Sequence, residues 1–85
     1  MNLIYSIIED QNHDIWIGTV NGLNQFDRSE NQMIHYHNNP NVVNTLCDDF
    51  TVSLCEDKNG HIWIGTKSGM NRFDTQDSVF HYYSE

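Results

Sequence analysis

The sequence predicts an all-β fold made of two copies of one four-stranded unit. The pentapeptide Ile-Trp-Ile-Gly-Thr at residues 15–19 recurs residue for residue at 62–66, 47 positions later. Periods of about 20–50 residues are the signature of repeat architectures. Each copy is a series of short apolar segments, rich in β-branched and aromatic residues and bounded by turn formers, without a helical stripe.

Four strands are predicted in the first copy, at residues 3–9, 15–20, 23–27 and 33–37. The turns between them hold Asp, Asn and Gly, which hydrogen-bond their own backbone or tolerate left-handed conformations. Asn21-Gly22 is a strong hairpin signal. The second strand carries Ile15 and Ile17 on one face and Trp16 on the other, so it is predicted to be covered on both faces.

Four matching strands are predicted in the second copy, at residues 50–56, 61–66, 70–74 and 79–83. Its first turn contains Asn59-Gly60, where the first copy has Asn12-His13. If that position requires a positive φ, His is tolerated there at some cost. The recurrence of His35-Tyr36 as His81-Tyr82, at an offset of 46, predicts that the outer turn is one residue shorter in the second copy.

A period in the forties with four short strands that are apolar on both faces is typical of a β-propeller blade. We therefore predict blade 1 at residues 1–38, an inter-blade connection at 39–49 and blade 2 at 50–85. The alternatives are a solenoid or a small closed barrel of eight strands. A barrel requires one polar face on each strand, and Ile-Trp-Ile does not offer one.

Composition excludes several classes of function. The net charge is −8 with four Lys and Arg, which is the wrong sign for tracking nucleic-acid phosphates. The sequence contains no run of 18 apolar residues, so no membrane span is predicted. It also shows no charged region followed by an apolar stretch, so no signal peptide is predicted. Cys55 lies at the register of Ile8, where it is predicted to be a buried free thiol, and a disulfide with Cys47 has no support from spacing.

The repeated motif resembles a known family. Glu-Asp, an Asn-containing turn, Ile-Trp-Ile-Gly-Thr and Gly-Leu/Met-Asn-x-Phe-Asp follow one another in both copies, and the chain between them runs through His-Tyr-His-Asn-Asn-Pro at 35–40 and Asn-Thr-Leu at 44–46. These residues resemble the two-component regulator propeller repeat over nearly the whole chain. Three residues differ from those usual in the family repeat. His13 replaces the usual turn Gly, Met70 replaces the commoner Leu, and Cys55 occupies an apolar strand position.

The resemblance implies a fragment of a larger propeller of about seven blades. Proteins of this kind are extracytoplasmic, periplasmic sensor parts of hybrid two-component histidine kinases in the inner membrane, and their typical inputs are oligosaccharides. The implied partners are neighbouring blades, in the same parent chain or by self-association, and an oligosaccharide ligand. Nucleic acid and direct membrane contact are not implied.

Eight residues of the repeat are predicted to be structural rather than catalytic: Asp10, Trp16, Gly18, Gly22, Asp57, Trp63, Gly65 and Gly69. The tryptophans are flanked by Ile in both copies, which favours packing between blades over sugar stacking. The aspartates occupy equivalent hairpin turns, which favours turn capping over paired acid catalysis. The glycines lack the Lys and the helix of a phosphate loop, so strand and hairpin roles are predicted.

No catalytic group, cofactor or metal site is predicted. His35 and His37 point to one face of a strand, but no third metal ligand is in register with them. The repeat of His35 as His81 suggests a role in the blade pattern. Two alternatives to a sensor fragment are a stand-alone module assembled from several short chains and a propeller lyase or hydrolase, which would need non-repeating polar residues that the sequence does not show.

Two expectations follow from a chain of only two blades. Propellers close with about 4–8 blades, so both end faces should stay uncovered, and self-association or marginal stability is expected. We also expect Trp63 to be more important for stability than Trp16, on the reasoning that the outer neighbour of Trp16 is missing.

Overall fold

The computed structural model describes residues 3–42 and 44–83, and every regular element in them is a β-strand. The strands are β1 Ile4–Glu9, β2 Ile15–Thr19, β3 Gly22–Asp27, β4 Gln32–Tyr36, β5 Thr51–Glu56, β6 Ile62–Thr66, β7 Gly69–Asp74 and β8 Val79–Tyr83. They form two antiparallel meanders, in the orders β1-β2-β3-β4 and β5-β6-β7-β8. The predicted all-β fold of two four-stranded blades is confirmed.

The offset of 47 residues runs through the outer strands as well, so the predicted one-residue difference between the outer turns is wrong. Phe26 pairs with Met33 across β3 and β4, and Phe73 pairs with Phe80 across β7 and β8. The outer turns contain equivalent residues with positive φ, Asn31 at 54° and Ser78 at 59°. The two outer turns therefore have the same length. The repeated dipeptides His35-Tyr36 and His81-Tyr82 do not occupy equivalent positions in the two blades.

This register changes which residues correspond in the two outer strands. Tyr83, and not Tyr82, takes the place of Tyr36, and each of these rings lies against the tryptophan of its own blade. His81 takes the place of Ile34 and is not the equivalent of His35. In the first turn, the equivalent residues do adopt a positive φ, at 68° in His13 and 84° in Gly60.

Each blade has two faces, which we name by their β2 or β6 residues. The trailing face carries the tryptophan, Trp16 or Trp63, and the leading face carries the isoleucine pair, Ile15 and Ile17 in blade 1. The trailing face of blade 1 packs on the leading face of blade 2, and we call this interface the seam. Seven hydrophobic residues are buried in the core that it forms: Trp16, Leu23, Leu46, Ile62, Ile64, Phe73 and Phe80.

The seam is a wedge that is narrow at the inner strands and wide at the outer strands. At the inner edge β5 lies against β1 and β2, and a Cβ added to Gly18 would come within 3.0 Å of Thr51 Oγ1. At the outer edge the gap is filled by aromatic rings, with Tyr36 5.3 Å from both Phe73 and Phe80 between ring centroids. Side-chain size therefore sets the angle between the two blades.

The two tryptophans differ in burial, in the opposite order to the expectation. Trp16 is 0% exposed because blade 2 covers it, whereas Trp63 is only partly buried on the trailing face of blade 2. The same face carries Cys55, which pairs with Trp63 across the strands and is exposed. The predicted buried position of Cys55 is therefore wrong, because no sheet of the described chain covers this face.

The chain between the blades is folded onto them. Leu46 is buried in the core, and its carbonyl accepts a hydrogen bond from Asn38 Nδ2 at 2.8 Å. The backbone N–H of Cys47 donates to Oδ1 of the buried Asn71 at 2.7 Å. Both cysteines are free thiols. The exact limits of the blades and the connection, at 38/39 and 49/50, remain a prediction.

Candidate functional site: a cleft between the blades

A cleft of about 500 Å³ opens between the two blades. It lies at the edge of the two sheets that carries the β1–β2, β3–β4 and β7–β8 turns. Its lining combines carboxylates, amides, hydroxyls and two apolar side chains: Asp10, Asn12, Asp14, Gln25, Asp27, Ser29, Ile34, Tyr36, Phe73, Thr75 and Ser78. Residues of both blades contribute, so the cleft exists only because the seam is formed.

The β1–β2 turn places its polar groups through Asp10. Oδ1 of Asp10 accepts hydrogen bonds from the backbone N–H groups of Asn12 and Asp14, at 2.9 and 3.0 Å. Oδ2 accepts the indole N–H of Trp16 at 2.8 Å. Asp10 thus closes the turn and ties it to the buried tryptophan, which is a positioning role and leaves no free carboxylate oxygen.

Asp57 makes the same three contacts in blade 2. Its Oδ1 accepts from the backbone N–H groups of Asn59 and His61, and its Oδ2 accepts from Trp63 Nε1 at 2.9 Å. The Trp63 indole and these two backbone donors hold the pKa of Asp57 below its ordinary value. Each aspartate is thus bonded within its own turn and to the tryptophan of its own blade.

The middle of the cleft is a chain of hydrogen bonds on blade 1. Tyr36 Oη donates to Gln25 Oε1 at 2.7 Å, and Gln25 Nε2 donates to Asp14 Oδ2 at 3.0 Å. Burial, with the nearby carboxylates of Asp27 and Asp14, raises the pKa of Tyr36 to about 12. The site is therefore polar and acidic, and a neutral ligand with hydroxyl groups suits it better than an anion.

At each of the four predicted glycines an added Cβ would come within about 3 Å of another group. Gly22 has φ 117°, and an added Cβ would lie 2.5 Å from the carbonyl oxygen of Tyr36. Gly69 repeats the positive φ, at 144°. Gly18 faces the seam, and its equivalent Gly65 faces only Ser53 of its own blade.

Four contacts across the seam were not found from the sequence. Thr51 Oγ1 lies 2.8 Å from Thr19 O and 3.1 Å from Gly22 O. The backbone N–H of Gly22 donates to Asp49 O at 2.7 Å, and that of Gln11 donates to the Glu56 carboxylate at 3.1 Å. Thr51 could have been found as a departure from the repeat, because its equivalent 47 residues earlier is Ile4.

Two places in the structure bring histidines together with another possible metal ligand. His35 and His37 do share one face, with ring centroids 5.7 Å apart, and His35 Nδ1 is 2.8 Å from Asn24 Oδ1. Elsewhere, Asp74, Asp77 and His81 bring one ligand atom each within 4.8 Å of one another, and these are the described residues that could hold a metal ion. This group lies at the outer turn of blade 2 and outside the cleft.

A comparison with protein-family models decides the family. The model described as two component regulator propeller matches residues 2–21 and 38–68, which is more than half of the chain. The chain belongs to this family. The matched segments contain both Ile-Trp-Ile-Gly-Thr strands and the connection between the blades. The resemblance inferred from the repeated motif is confirmed.

A search of curated proteins finds no match to the chain. Among the described residues, no helix is long and apolar enough to cross a membrane. A propeller repeat of this family is a sensor or interaction module rather than a catalytic unit, and its blades associate with neighbouring blades. The cleft and the uncovered blade faces are therefore the candidate binding surfaces of the molecule.

Proposed function

We propose that the chain is part of the ligand-sensing propeller of a hybrid two-component sensor histidine kinase, that it responds to oligosaccharides, and that the parent protein signals through a phosphorelay. In this proposal the segment lies in the periplasm, as the extracytoplasmic part of an inner-membrane protein. It supplies scaffold and a binding surface and carries out no chemistry. Membership of the two component regulator propeller family supports the sensor role.

The lining of the inter-blade cleft is the observation that supports a sugar ligand. Ligand sites commonly measure about 300–1,000 Å³, and the cleft of about 500 Å³ falls within that range. Asn12, Ser29 and Asp27 offer donors and acceptors for hydroxyl groups, and Tyr36 offers an aromatic ring beside them. The three aspartates of the lining disfavour uronic acids and sulfated sugars, so the proposed ligand is a neutral oligosaccharide.

Calorimetric titration of the whole chain with neutral and with uronic-acid oligosaccharides tests this proposal. We expect saturable binding of a neutral oligosaccharide only. Asn12→Ala should weaken it by about 2–10-fold, the effect of one lost hydrogen bond. The turn should survive, because Asn12 contributes its backbone N–H, and not its side chain, to Asp10.

The repeat supplies a matched control. Asn59 occupies the same turn position in blade 2, donates its backbone N–H to Asp57 and does not line the cleft. Asn59→Ala should therefore leave the affinity unchanged. Equal losses in the two variants, or no binding of any neutral oligosaccharide, would contradict a sugar site in this cleft.

A further inference from the structure

The trailing face of blade 2 differs from the trailing face of blade 1 at the positions that decide its partner. We propose that this face receives a further propeller blade that carries a carboxylate opposite Arg72, and that a second copy of this chain does not meet that requirement. The inference rests on the proposed role of the chain as part of a larger propeller. It does not depend on the identity of the ligand.

Arg72 has lost the internal partner that its equivalent keeps. In blade 1 the position is Gln25, whose amide is satisfied by Asp14 and by Tyr36. In blade 2 the place of Asp14 is taken by His61, which brings an imidazole where blade 1 has a carboxylate. The His61 ring nitrogens lie 3.6 and 3.8 Å from the carboxylates of Asp57 and Asp74. The exchange of Gln25–Asp14 for Arg72–His61 removes the carboxylate that bonds the blade 1 side chain.

The structure shows the consequence directly. Nε of Arg72 is buried and has no hydrogen-bond partner among residues 3–42 and 44–83. Asp74 lies on the same face and accepts the backbone N–H of Gln76 at 3.0 Å through Oδ1, and it does not bond Nε of Arg72. The cross-strand neighbours of Arg72 are Trp63 and His81, and neither supplies an anion. A buried N–H donor is unfavourable when it has no acceptor, and an acceptor from outside the described residues would satisfy Nε of Arg72.

The seam shows where that acceptor would come from. Around Gln25 the cleft is completed by three residues of blade 2, which are Phe73, Thr75 and Ser78. A blade that packs on Trp63 as blade 2 packs on Trp16 would place its equivalents of Thr75 and Ser78 beside Arg72. An Asp or Glu at either position would reach the guanidinium, and carboxylates pair with Arg through two parallel hydrogen bonds.

A second copy of this chain fits this position poorly. Its leading face would present Arg28 and Asn31 in the places of Thr75 and Ser78, so that Arg28 would face Arg72. At the inner edge, Ile4 would replace Thr51 and could not donate to the carbonyl oxygens that correspond to Thr19 and Gly22. The outer and the inner edge of the face therefore disfavour self-pairing for two independent reasons.

The proposal is tested by giving this chain the carboxylate that the proposed partner blade would carry, so that a second copy becomes a suitable partner. In full-length Arg28→Glu, each molecule presents a carboxylate to the Arg72 of the next. We expect it to self-associate about tenfold more tightly than the neutral control Arg28→Gln in sedimentation velocity at low salt, as for a close charge pair. This gain would occur although the substitution makes an acidic chain more acidic, so net-charge effects have the opposite sign.

The second site separates the proposed pair from other effects. Arg72→Gln restores the residue type of blade 1, and in the Arg28→Glu background it should abolish the gain. Arg28→Glu removes a bond from Arg28 Nε to His13 O at 3.1 Å, so a gentler variant is also needed. The double variant Arg28→Gln, Asn31→Asp supplies the carboxylate from position 31 instead. Asn31 has a φ of 54°, which Asp also tolerates.

The outcomes are decisive in both directions. A gain in both acidic variants that disappears with Arg72→Gln supports the carboxylate-bearing partner. Acidic variants that associate no more tightly than Arg28→Gln, or a gain that survives Arg72→Gln, would overturn it. No oligosaccharide is present in these experiments, so a failed sugar titration and a failed association test remain distinguishable.

Discussion

At the scale of single residues, equivalent positions in the two blades differ in burial and therefore in their contribution to stability. Trp16 and Trp63 have identical neighbours in sequence and identical hydrogen bonds to an aspartate. Only Trp16 is covered by another sheet, and its ring lies 5.4 Å from Phe73 between centroids. The contribution of each tryptophan to stability therefore depends on which faces are covered, and this reverses the order expected from the sequence.

We predict that Trp16→Ala lowers the free energy of unfolding by about 3–5 kcal/mol, the usual cost of truncating a large core side chain. Trp63→Ala should cost about 1–2 kcal/mol, because its ring is only partly removed from water. Urea denaturation followed by circular dichroism measures both. Equal losses, or a larger loss at Trp63, would show that the trailing face of blade 2 is covered in solution.

Tyr36 should make stability fall at high pH. Its pKa is raised from the ordinary value of 10.0 to about 12, so between these values the folded state holds a proton that the unfolded state has lost. The free energy of unfolding therefore decreases as pH rises through this window, and the contribution is intact below it. Urea melts of wild type and Tyr36→Phe from pH 9 to about 12 measure the slope, which should be shallower in the variant. Parallel slopes would refute this assignment.

At the scale of elements, the wedge between the blades is set by small residues inside and rings outside. Gly18 on β2 lets β5 approach, and Thr51 then reaches the carbonyl oxygens of β2 and β3. Gly65 is identical in sequence context but has no blade beyond it in the described chain. The two glycines are therefore a matched pair for testing whether close approach at the seam is a structural requirement.

Gly18→Ala should destabilise the chain by about 1–3 kcal/mol, the range for overpacking a filled interface. The new methyl would press on Thr51, which is 0% exposed and held by its hydrogen bonds. Gly65→Ala should stay within about 0.5 kcal/mol, because the exposed Ser53 can rotate its hydroxyl away. Thermal melts of the two variants check this difference, and similar effects would place the wedge elsewhere.

At the scale of the whole molecule, the chain has two blade faces with no partner sheet among the described residues. The leading face of blade 1 exposes Ile7 and Met33, at 57% and 56%, and the trailing face of blade 2 exposes Met70 at 42%. Such patches favour association, while a net charge of −8 and the opposition of Arg28 and Arg72 resist it. Association between copies should therefore be weak and governed by salt.

Light scattering across a dilution series tests this balance. We expect a mostly monomeric chain at about 10 mM salt and self-association that grows toward about 500 mM, because screening removes the repulsion. Arg28→Gln should associate more than wild type at low salt. A monodisperse monomer of 10.0 kDa at both salts, with a melt independent of concentration, would show that the exposed faces need no neighbour.

The repeat by itself determined the eight strands and the family, because each blade folds through local patterns that recur 47 residues apart. Short β-branched runs between Asp, Asn and Gly turns allow little else. The sequence also predicts structural roles for Asp10, Trp16 and Gly22, since they recur in a common motif. It could not identify which copy of each is buried, because burial depends on a neighbouring sheet and not on the residue.

Only the tertiary structure decided the register of the outer strands, the cleft and the chemistry of the faces. His81-Tyr82 repeats the letters of His35-Tyr36, but pairing between β7 and β8 places Tyr83 where Tyr36 lies. Backbone hydrogen bonds fix strand register, and a slip of one residue would send every side chain to the other face. The unpaired Nε of Arg72 is likewise a property of the packed blade, because a donor is unsatisfied only where the surrounding atoms exclude water.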